Sequence, residues 1–310
     1  MSGQYKTQLD SIEDVAEFYE AIDRGSLTHK ISTDRPYVYT TMEVYDVSNG
    51  IKGAGGLGVL AADTRRIAES LDIPFVMLTP FYREERHQEM VDMIPLEAIG
   101  PTIPTDAGFE KVGETTIKVK DNPDSVLEIY QKVLGSTRFL TMGEENFGQL
   151  YSGDSSSDHR LYQMVSLGMG GYSALKLLGL KPAVIQLNET ATTFAAVARL
   201  DELCRNGMGI YEAIVYVRKH TLYTNHTLVQ AAESEFTYAQ FEKFVFPNIV
   251  SPALRHYIGG LFYNGRLKIS SLTLELAEAK NGVSRLHARI TDYHDLSGER
   301  VEFRAITNGI

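Results

Sequence analysis

Short runs of β-branched and aromatic residues alternate along the chain with longer stretches whose apolar positions recur at helical spacing. Residues 37–42 read Tyr-Val-Tyr-Thr-Thr-Met and residues 74–79 read Pro-Phe-Val-Met-Leu-Thr, with a helical pattern over 57–71 between them. Residues 183–187 (Ala-Val-Ile-Gln-Leu) are followed in the same way by a helical stretch over 193–204. Parallel neighbours need a crossover connection, so this alternation predicts an α/β fold with a mostly parallel sheet flanked by helices. Three shorter runs at 116–121, 125–130 and 137–141 stand close together with polar turns, which predicts an inserted antiparallel meander. Residues 158–178 predict one helix with an inward stripe of Leu161, Met164, Val165, Tyr172 and Leu175, capped by Asp154 or a following serine. Gly168, Gly170 and Gly171 each weaken such a helix by about 1 kcal/mol relative to alanine, so they predict close backbone packing. The final run, 301–310, predicts a strand with no helix after it.

No internal repeat, low-complexity tract or Pro/Gly/Ser-rich linker marks a boundary among the 310 residues. One lobe over 1–310 is expected, with 1–36 as an N-terminal extension packed on it. Hydrophobic residues make up 43% of the chain and aromatic residues 10%, enough apolar surface to offset chain entropy and to argue against disorder. Asp and Glu number 40 against 30 for Lys and Arg, and the formal charge of -10 repels phosphate backbones and anionic lipid. Nucleic acid and membrane are therefore not the expected partners. The lone Cys204 supports neither an internal disulfide nor a Cys-based zinc site, and reads as a small packed side chain in a reducing compartment. The first ten residues lack an apolar signal core, and no stretch approaches the roughly 18–20 apolar residues of a membrane span. A cytoplasmic protein is the expectation.

Several motifs could carry chemistry. Gly53-Ala-Gly-Gly-Leu-Gly58 matches a dinucleotide loop, which makes a nucleotide-dependent oxidoreductase one alternative. Against it, residues 45–52 separate the loop from the preceding strand, and Leu78, Thr79 and Pro80 stand where an acidic residue is needed about 20 positions on. What the glycines do permit is close approach of an anion to backbone N–H groups at a helix N-terminus, or simply a tight strand-to-helix turn. Asp154-Ser-Ser-Ser-Asp158 begins like a calcium loop, but His159 and Val165 occupy the positions that need Gly and Glu. His220 and His226 flank a strand-like run without a third ligand at metal spacing, so no metal is expected, and a strand end bonded to nearby loops is the plainer reading. Glu43 and Glu189 each follow an apolar strand, where ligands gather in open parallel sheets, although each could instead cap a helix or anchor a loop.

Five blocks, taken together, resemble the N-terminal half of the α-glucan (glycogen, starch and maltodextrin) phosphorylases, glycosyltransferase family 35. They are Tyr39-Thr-Thr-Met-Glu43, Gly55-Gly-Leu-Gly-Val-Leu-Ala-Ala-Asp63, Leu150-Tyr-Ser-Gly-Asp154 with Leu167-Gly-Met-Gly-Gly171 and Ala174-Leu-Lys-Leu-Leu-Gly-Leu-Lys-Pro182, Gln186-Leu-Asn-Glu189 with Tyr223-Thr-Asn-His-Thr227, and Asn281-Gly-Val-Ser-Arg-Leu-His287 with Thr307-Asn-Gly-Ile310. The resemblance implies one Rossmann-like lobe of a two-lobed GT-B fold. It implies phosphorolysis of α-1,4-glucan to glucose 1-phosphate, with pyridoxal 5′-phosphate held on a lysine of a C-terminal lobe that these residues do not include. α-Glucan and phosphate would then be the ligands, and a separately encoded C-terminal lobe or a homo-oligomer the protein partner. By the same carry-over, Gly55, Gly56 and Leu57 would hold phosphate and sugar, Glu43 would line the inner end of the glucose site, and Asn188 and Glu189 would face the cleft. Asn281 to Ser284 would shape the sugar pocket from a helix.

The departures from the family pattern are specific. Ala191 replaces the histidine of the family's Asn-Asp-Thr-His or Asn-Glu-Gly-His, Ala54 stands where many members are polar, and Glu278 replaces a histidine or basic residue three positions before Asn281. On the resemblance, the last of these reverses a charge expected near sugar or phosphate. An alternative follows from the departures at 191 and 278: a non-catalytic lobe that binds glucan or another protein.

Overall fold

The computed structural model describes residues 31–51, 56–82, 85–91, 94–100, 104–144, 147–148, 150, 154–226, 233–295 and 299–306. In chain order its strands are β1 (Tyr37–Thr40), β2 (Phe75–Pro80), β3 (Glu85–Val91), β4 (Ile94–Gly100), β5 (Glu110–Ile117), β6 (Ser125–Leu134), β7 (Thr137–Gly143), β8 (Val184–Asn188), β9 (Thr221–Asn225), β10 (Glu235–Thr237), β11 (Arg266–Lys268), β12 (Ala279–Gly282) and β13 (Arg304–Ala305). The helices are α1 (Gly56–Ser70), α2 (Asp158–Val165), α3 (Gly171–Leu177), α4 (Phe194–Arg205), α5 (Ile210–Lys219), α6 (Tyr238–Phe244), α7 (Pro252–Gly260), α8 (Ile269–Leu276) and α9 (Arg285–Ile290).

Nine strands form one sheet in the order β13-β12-β9-β8-β1-β2-β7-β6-β5. Every pair from β13 to β7 is parallel, while β7-β6 and β6-β5 are antiparallel. The central strands are covered on both faces, which is why they read as nearly continuous apolar runs. Val38, Val76, Leu78, Ile185 and Leu187 belong to the larger core, which also takes in buried residues of α2 to α8. On the opposite face Tyr39, Phe75, Met77 and Phe139 pack against Ala61, Ala62 and Ala68 of α1. Alanines at those positions let the helix lie close to the sheet.

The expected central strands and the helices after β1 and β8 are all present. The expected antiparallel meander is present as β5, β6 and β7, and it is continuous with the main sheet: β7 pairs parallel with β2 over Thr137–Met142 and carries β6 and β5 outward as the edge. The physical reason lies in β7, whose Phe139, Leu140 and Met142 are fully buried and so need the covered edge of β2. β5 begins six residues earlier than the alternation suggests because Glu110, Lys111 and Glu114 face solvent, and Lys111 pairs with Glu114 (2.8 Å) and Glu128 (2.9 Å). The strand expected over 301–310 is represented among the described residues by Arg304–Ala305 alone, paired parallel with β12. Of the expected extension over 1–36, residues 1–30 lie outside the described residues. Its last part docks onto the lobe: Lys181 N–H donates to Asp34 (2.8 Å), Ala183 N–H to Pro36 (3.0 Å), and Ile31 packs on Ala183 and Val184.

The helix expected over 158–178 is interrupted. Ser157 caps it, with Oγ accepting from Arg160 N–H at 3.2 Å, and α2 then passes through a π-helical turn, Ser166–Gly170, before α3. The glycines explain the turn. A Cβ on Gly168 would lie 2.5 Å from the carbonyl carbon of Phe194 and 2.6 Å from the nitrogen of Ala195, so α4 crosses the turn backbone to backbone. Because α4 starts just beyond Glu189, this crossing fixes where the loop after β8 sits.

Gly168→Ala is therefore expected to lower stability by about 2–3 kcal/mol in denaturant unfolding, the penalty of an overpacked interior. Gly260→Ala, with nothing within 4 Å of its new Cβ, is the matched control and should be neutral or slightly stabilising. Equal midpoints for the two variants would contradict the close crossing.

Candidate functional site

Parallel strands place their carboxyl ends along one edge. Here that edge carries residues 41–43 after β1, Glu189 after β8, His226 after β9 and residues 283–284 after β12. Two hydrogen-bonded rows of polar side chains run across these strands. In the first, Tyr37 Oη donates to Gln186 Oε1 (2.8 Å), Gln186 Nε2 to Thr224 Oγ1 (2.8 Å), and Thr224 Oγ1 to Asn281 Oδ1 (2.7 Å). The second lies nearer the edge: Asn188 Nδ2 donates to Thr41 Oγ1 (3.1 Å), Thr41 Oγ1 to the carbonyl of Glu43 (3.0 Å), and His226 Nε2 meets Asn188 Oδ1 at 2.7 Å. Contact with an amide oxygen assigns the ring hydrogen to Nε2 and leaves Nδ1 as an acceptor.

Glu189 is the most constrained residue of the edge. Its φ of 76° and ψ of 159° fall in a region that side chains with a Cβ rarely adopt. Neighbouring strands hold it there: its N–H donates to Thr224 (3.0 Å), its carbonyl accepts from Thr192 Oγ1 (2.9 Å), and its Oε1 accepts from His226 N–H (2.7 Å). The half-buried carboxylate is thus turned toward β9. Glu43 is buried three residues past β1. Burial drives the pKa of His226 down to about 4, helped by the nearby charge His287 would carry, and burial also lowers His287. Both imidazoles are neutral at pH 7, and buried Nε2 of His287 makes no hydrogen bond.

An ion cluster around the buried Asp46 joins the segment after β1 to α1. Asp46 accepts from Ser48 Oγ (2.5 Å), Asn49 Nδ2 (3.0 Å), Arg65 Nε (2.9 Å) and Arg66 Nη2 (3.0 Å). Burial alone would raise the Asp46 pKa, but the hydrogen bonds from Ser48 and Asn49 and the charges of Arg65 and Arg66 bring it below the ordinary carboxylate value. Tyr45 N–H also donates to the carbonyl of Gly58 (2.9 Å), and a Cβ on Gly58 would sit 3.0 Å from the nitrogen of Tyr45. The segment after β1 and the first turn of α1 are locked together.

Of the residues singled out in the sequence, Glu43, Asn188, Glu189 and Asn281 come together along the edge. Gly56 is exposed as the first residue of α1 and Leu57 is half-buried beside it, while Gly55 lies outside the described residues. The expectation that residues 281–284 form a helix is corrected: Asn281 is in β12, and Ser284 caps α9 by accepting from His287 N–H at 3.0 Å. Glu278 is also corrected, since it is exposed at the opposite, amino end of β12, with its N–H on the carbonyl of Arg218 (3.0 Å). Its changed charge does not reach the carboxyl edge. Ala191 is buried in the short helical turn Thr190–Thr192. No cluster of three metal-binding side chains occurs among the described residues. His226, expected as a strand-end residue bonded to nearby loops, does bond Glu189 and Asn188, whereas no role was expected of Gln186, Thr224 and His287 individually, although the polar pairs Gln186/Asn188 and Thr224/His226, each two apart, mark one face of β8 and β9.

No family model matches the chain. Among curated proteins it is similar to the maltodextrin phosphorylase of Thermococcus litoralis, with 27% identity over 89% of this chain and 36% of that protein. It is likewise similar to the glycogen phosphorylase of Mycobacterium tuberculosis (25% identity, 94% of this chain, 38% of that protein) and to that of Aquifex aeolicus (25%, 77% and 38%). The chain spans little more than a third of the length of these relatives. The chain thus resembles part of these α-glucan phosphorylases, matching their N-terminal half, and its mostly parallel sheet flanked by helices is consistent with a GT-B-like lobe. Among the described residues no helix is long and apolar enough to cross a membrane.

Two outcomes follow from the edge. The backbone of Glu189 favours glycine, so Glu189→Gly should be more stable than Glu189→Ala by about 1–2 kcal/mol in denaturant unfolding, although both lose the carboxylate; a more stable alanine variant would refute the strain. For His226, the folded value of about 4 lies below the ordinary 6.5, so between these values the unfolded chain binds the extra proton. Its contribution to stability is complete above pH 6.5 and is lost as pH falls through about 4. In an NMR titration the His226 ring should stay neutral down to about pH 5, and a midpoint at the ordinary histidine value would refute its burial.

Proposed function

We propose that the chain is the sugar- and phosphate-binding lobe of an α-glucan phosphorylase-like glycosyltransferase which, with a second lobe, transfers a terminal α-1,4-linked glucose to inorganic phosphate as glucose 1-phosphate. The single observation that carries this reading is the joining of Glu43, Asn188, Glu189 and His226 across three parallel strands, in a chain similar to phosphorylases over nine-tenths of its length. The named activities of the relatives support it.

The roles follow from charge and hydrogen-bonding type. The N-terminus of α1, at Gly56 and Leu57, offers N–H groups and the positive end of the helix dipole, which suits phosphate. Glu43, Glu189 and Nδ1 of His226 are acceptors, which suits sugar hydroxyls. Keeping His226 neutral preserves its acceptor and adds no positive charge that would draw phosphate from the helix end. The rows behind these groups hold them in place, so sugar is oriented without reorganising the edge.

Pyridoxal 5′-phosphate needs a lysine for its aldehyde, and the described residues at the carboxyl edge include none. These residues do not fit the cofactor, so in this reading a second lobe or subunit holds it and supplies acid–base chemistry toward phosphate. Borohydride reduction should then leave no pyridoxyl-lysine on this chain. Ala191, apolar and buried where the resemblance calls for histidine, favours the second reading of a glucan-binding lobe without catalysis.

Calorimetry with maltoheptaose, on the chain alone and with a pyridoxal-lysine lobe from the neighbouring reading frame, tests the proposal. Saturable binding and phosphate-dependent release of glucose 1-phosphate by the assembly are expected, with Glu189→Gln and His226→Ala each lowering turnover by about 10–100-fold. Binding without turnover in the assembly selects the non-catalytic reading. Absence of maltoheptaose binding refutes both.

A further inference from the structure

At the amino end of β8, away from the carboxyl edge, a cavity of about 320 Å³ opens beside α3 and α4, with Tyr172, Lys176, Lys181, Arg199, Glu202 and Tyr216 among its walls. Arg199 is 6% exposed. Its Nη2 donates to the carbonyl of Pro182 at 2.9 Å, and its guanidinium lies 5.2 Å from the ring centre of Tyr216. Its Nη1 is buried and makes no hydrogen bond.

The carboxylates nearby are engaged elsewhere. Glu202 is held by Lys176 Nζ (2.5 Å) and the Tyr172 hydroxyl (2.6 Å). Asp201 accepts from the N–H groups of Val250 (3.0 Å) and Ser251 (2.8 Å) and pairs with Arg205 (3.2 Å). Among the described residues Arg199 has no ion pair, and neither has Lys181, exposed at the rim. His220 stacks on the Tyr216 ring with centroids 4.1 Å apart, and its Nδ1 bonds the carbonyl of Tyr216, so it brings no counter-charge.

A buried guanidinium without a counter-ion is unfavourable, and a cavity beside it is where one would enter. The planar fork of Arg199, with no carboxylate partner, and the ammonium of Lys181 at the rim, whose charge is shared with the Asp34 carboxylate, suit the several oxygens and double charge of a phosphate dianion better than a single carboxylate. Leu180, Pro182 and Leu203 add apolar wall beyond the charged groups, room for the body of a small ligand. We propose that this cavity is a second ligand site, separate from the carboxyl edge, which binds a phosphate dianion, either free or as a small monoester.

The test is calorimetric titration of the chain with inorganic phosphate and with glycerol 3-phosphate. Lys181→Glu, an exposed change that should leave the melting temperature unmoved, is expected to weaken the stronger phosphate binding by about tenfold. Arg199→Lys keeps the charge but loses the planar fork, and should weaken it comparably. Tighter binding of glycerol 3-phosphate identifies a monoester and equal binding identifies the free ion; either supports the site. If wild type binds neither probe, or if Lys181→Glu binds both within about twofold of wild type, the proposal is overturned, because phosphate then goes only to the carboxyl edge or nowhere.

Discussion

A parallel sheet covered on both faces has little water to offer a polar side chain, so any polar group placed on its central strands must find its partner in the protein. β1, β8, β9 and β12 carry several such groups, and the two hydrogen-bonded rows are how they are satisfied. Register makes the rows possible: Asn188 pairs with Thr224, and Thr224 with Asn281. A shift of one residue would turn each polar side chain to the opposite face, among Val38, Ile185 and Leu187. The rows therefore specify the strand alignment, and the aligned strands in turn present Glu189 and His226 side by side. Stability and site geometry rest on the same bonds.

Two further devices fix what lies beyond the strand ends. The π-helical turn lets α4 cross within backbone contact of Gly168, which anchors the helix that follows Glu189. Asp46 does the corresponding work at β1, binding Arg65 and Arg66 of α1 and so tying the helix that opens at Gly56 to the segment that carries Glu43. The side chain of Asp46 is fully buried, as is nearly all of Arg65. Breaking such a pair from one side leaves an uncompensated charge, so this cluster defines one position for the helix N-terminus at the edge.

Much of this could be read from sequence because the central strands are buried on both faces and their apolar runs are unambiguous. Residues 74–79 and 183–187 announce β2 and β8 to within a residue, and the glycine cluster at 168–171 announces a close crossing. The meander was legible as strands but not as part of the main sheet, because pairing of β7 with β2 joins residues 62 apart, as Phe75 with Thr137, and leaves no local mark. Helix 158–178 was legible as helix but not as interrupted, since a π-turn keeps the apolar stripe and differs only in hydrogen bonding. At the site, Glu43 and Glu189 followed from the rule that ligands gather at carboxyl ends. His226 did not, because its significance depends on Asn188, a residue 38 positions away, and a polar pair split between two strands has no spacing to recognise.

The placement of charge on this lobe follows from the same economy of buried groups. At the carboxyl edge the acidic and neutral acceptors are held by N–H and O–H donors, and the imidazoles stay uncharged, so the positive end of α1 is the attractive place for an anion there. At the amino end the order is reversed: the carboxylates of Asp201 and Glu202 are neutralised, and Arg199 retains its charge without one. α4 spans the distance between them, starting beside Thr190–Thr192 and carrying Arg199 on its inner side. Its first turn cannot shift without meeting Gly168, and Arg199 cannot shift without leaving Pro182 and Tyr216. A packed element held at both ends couples the positions of the two regions mechanically, because displacement at one end must be accommodated by contacts at the other.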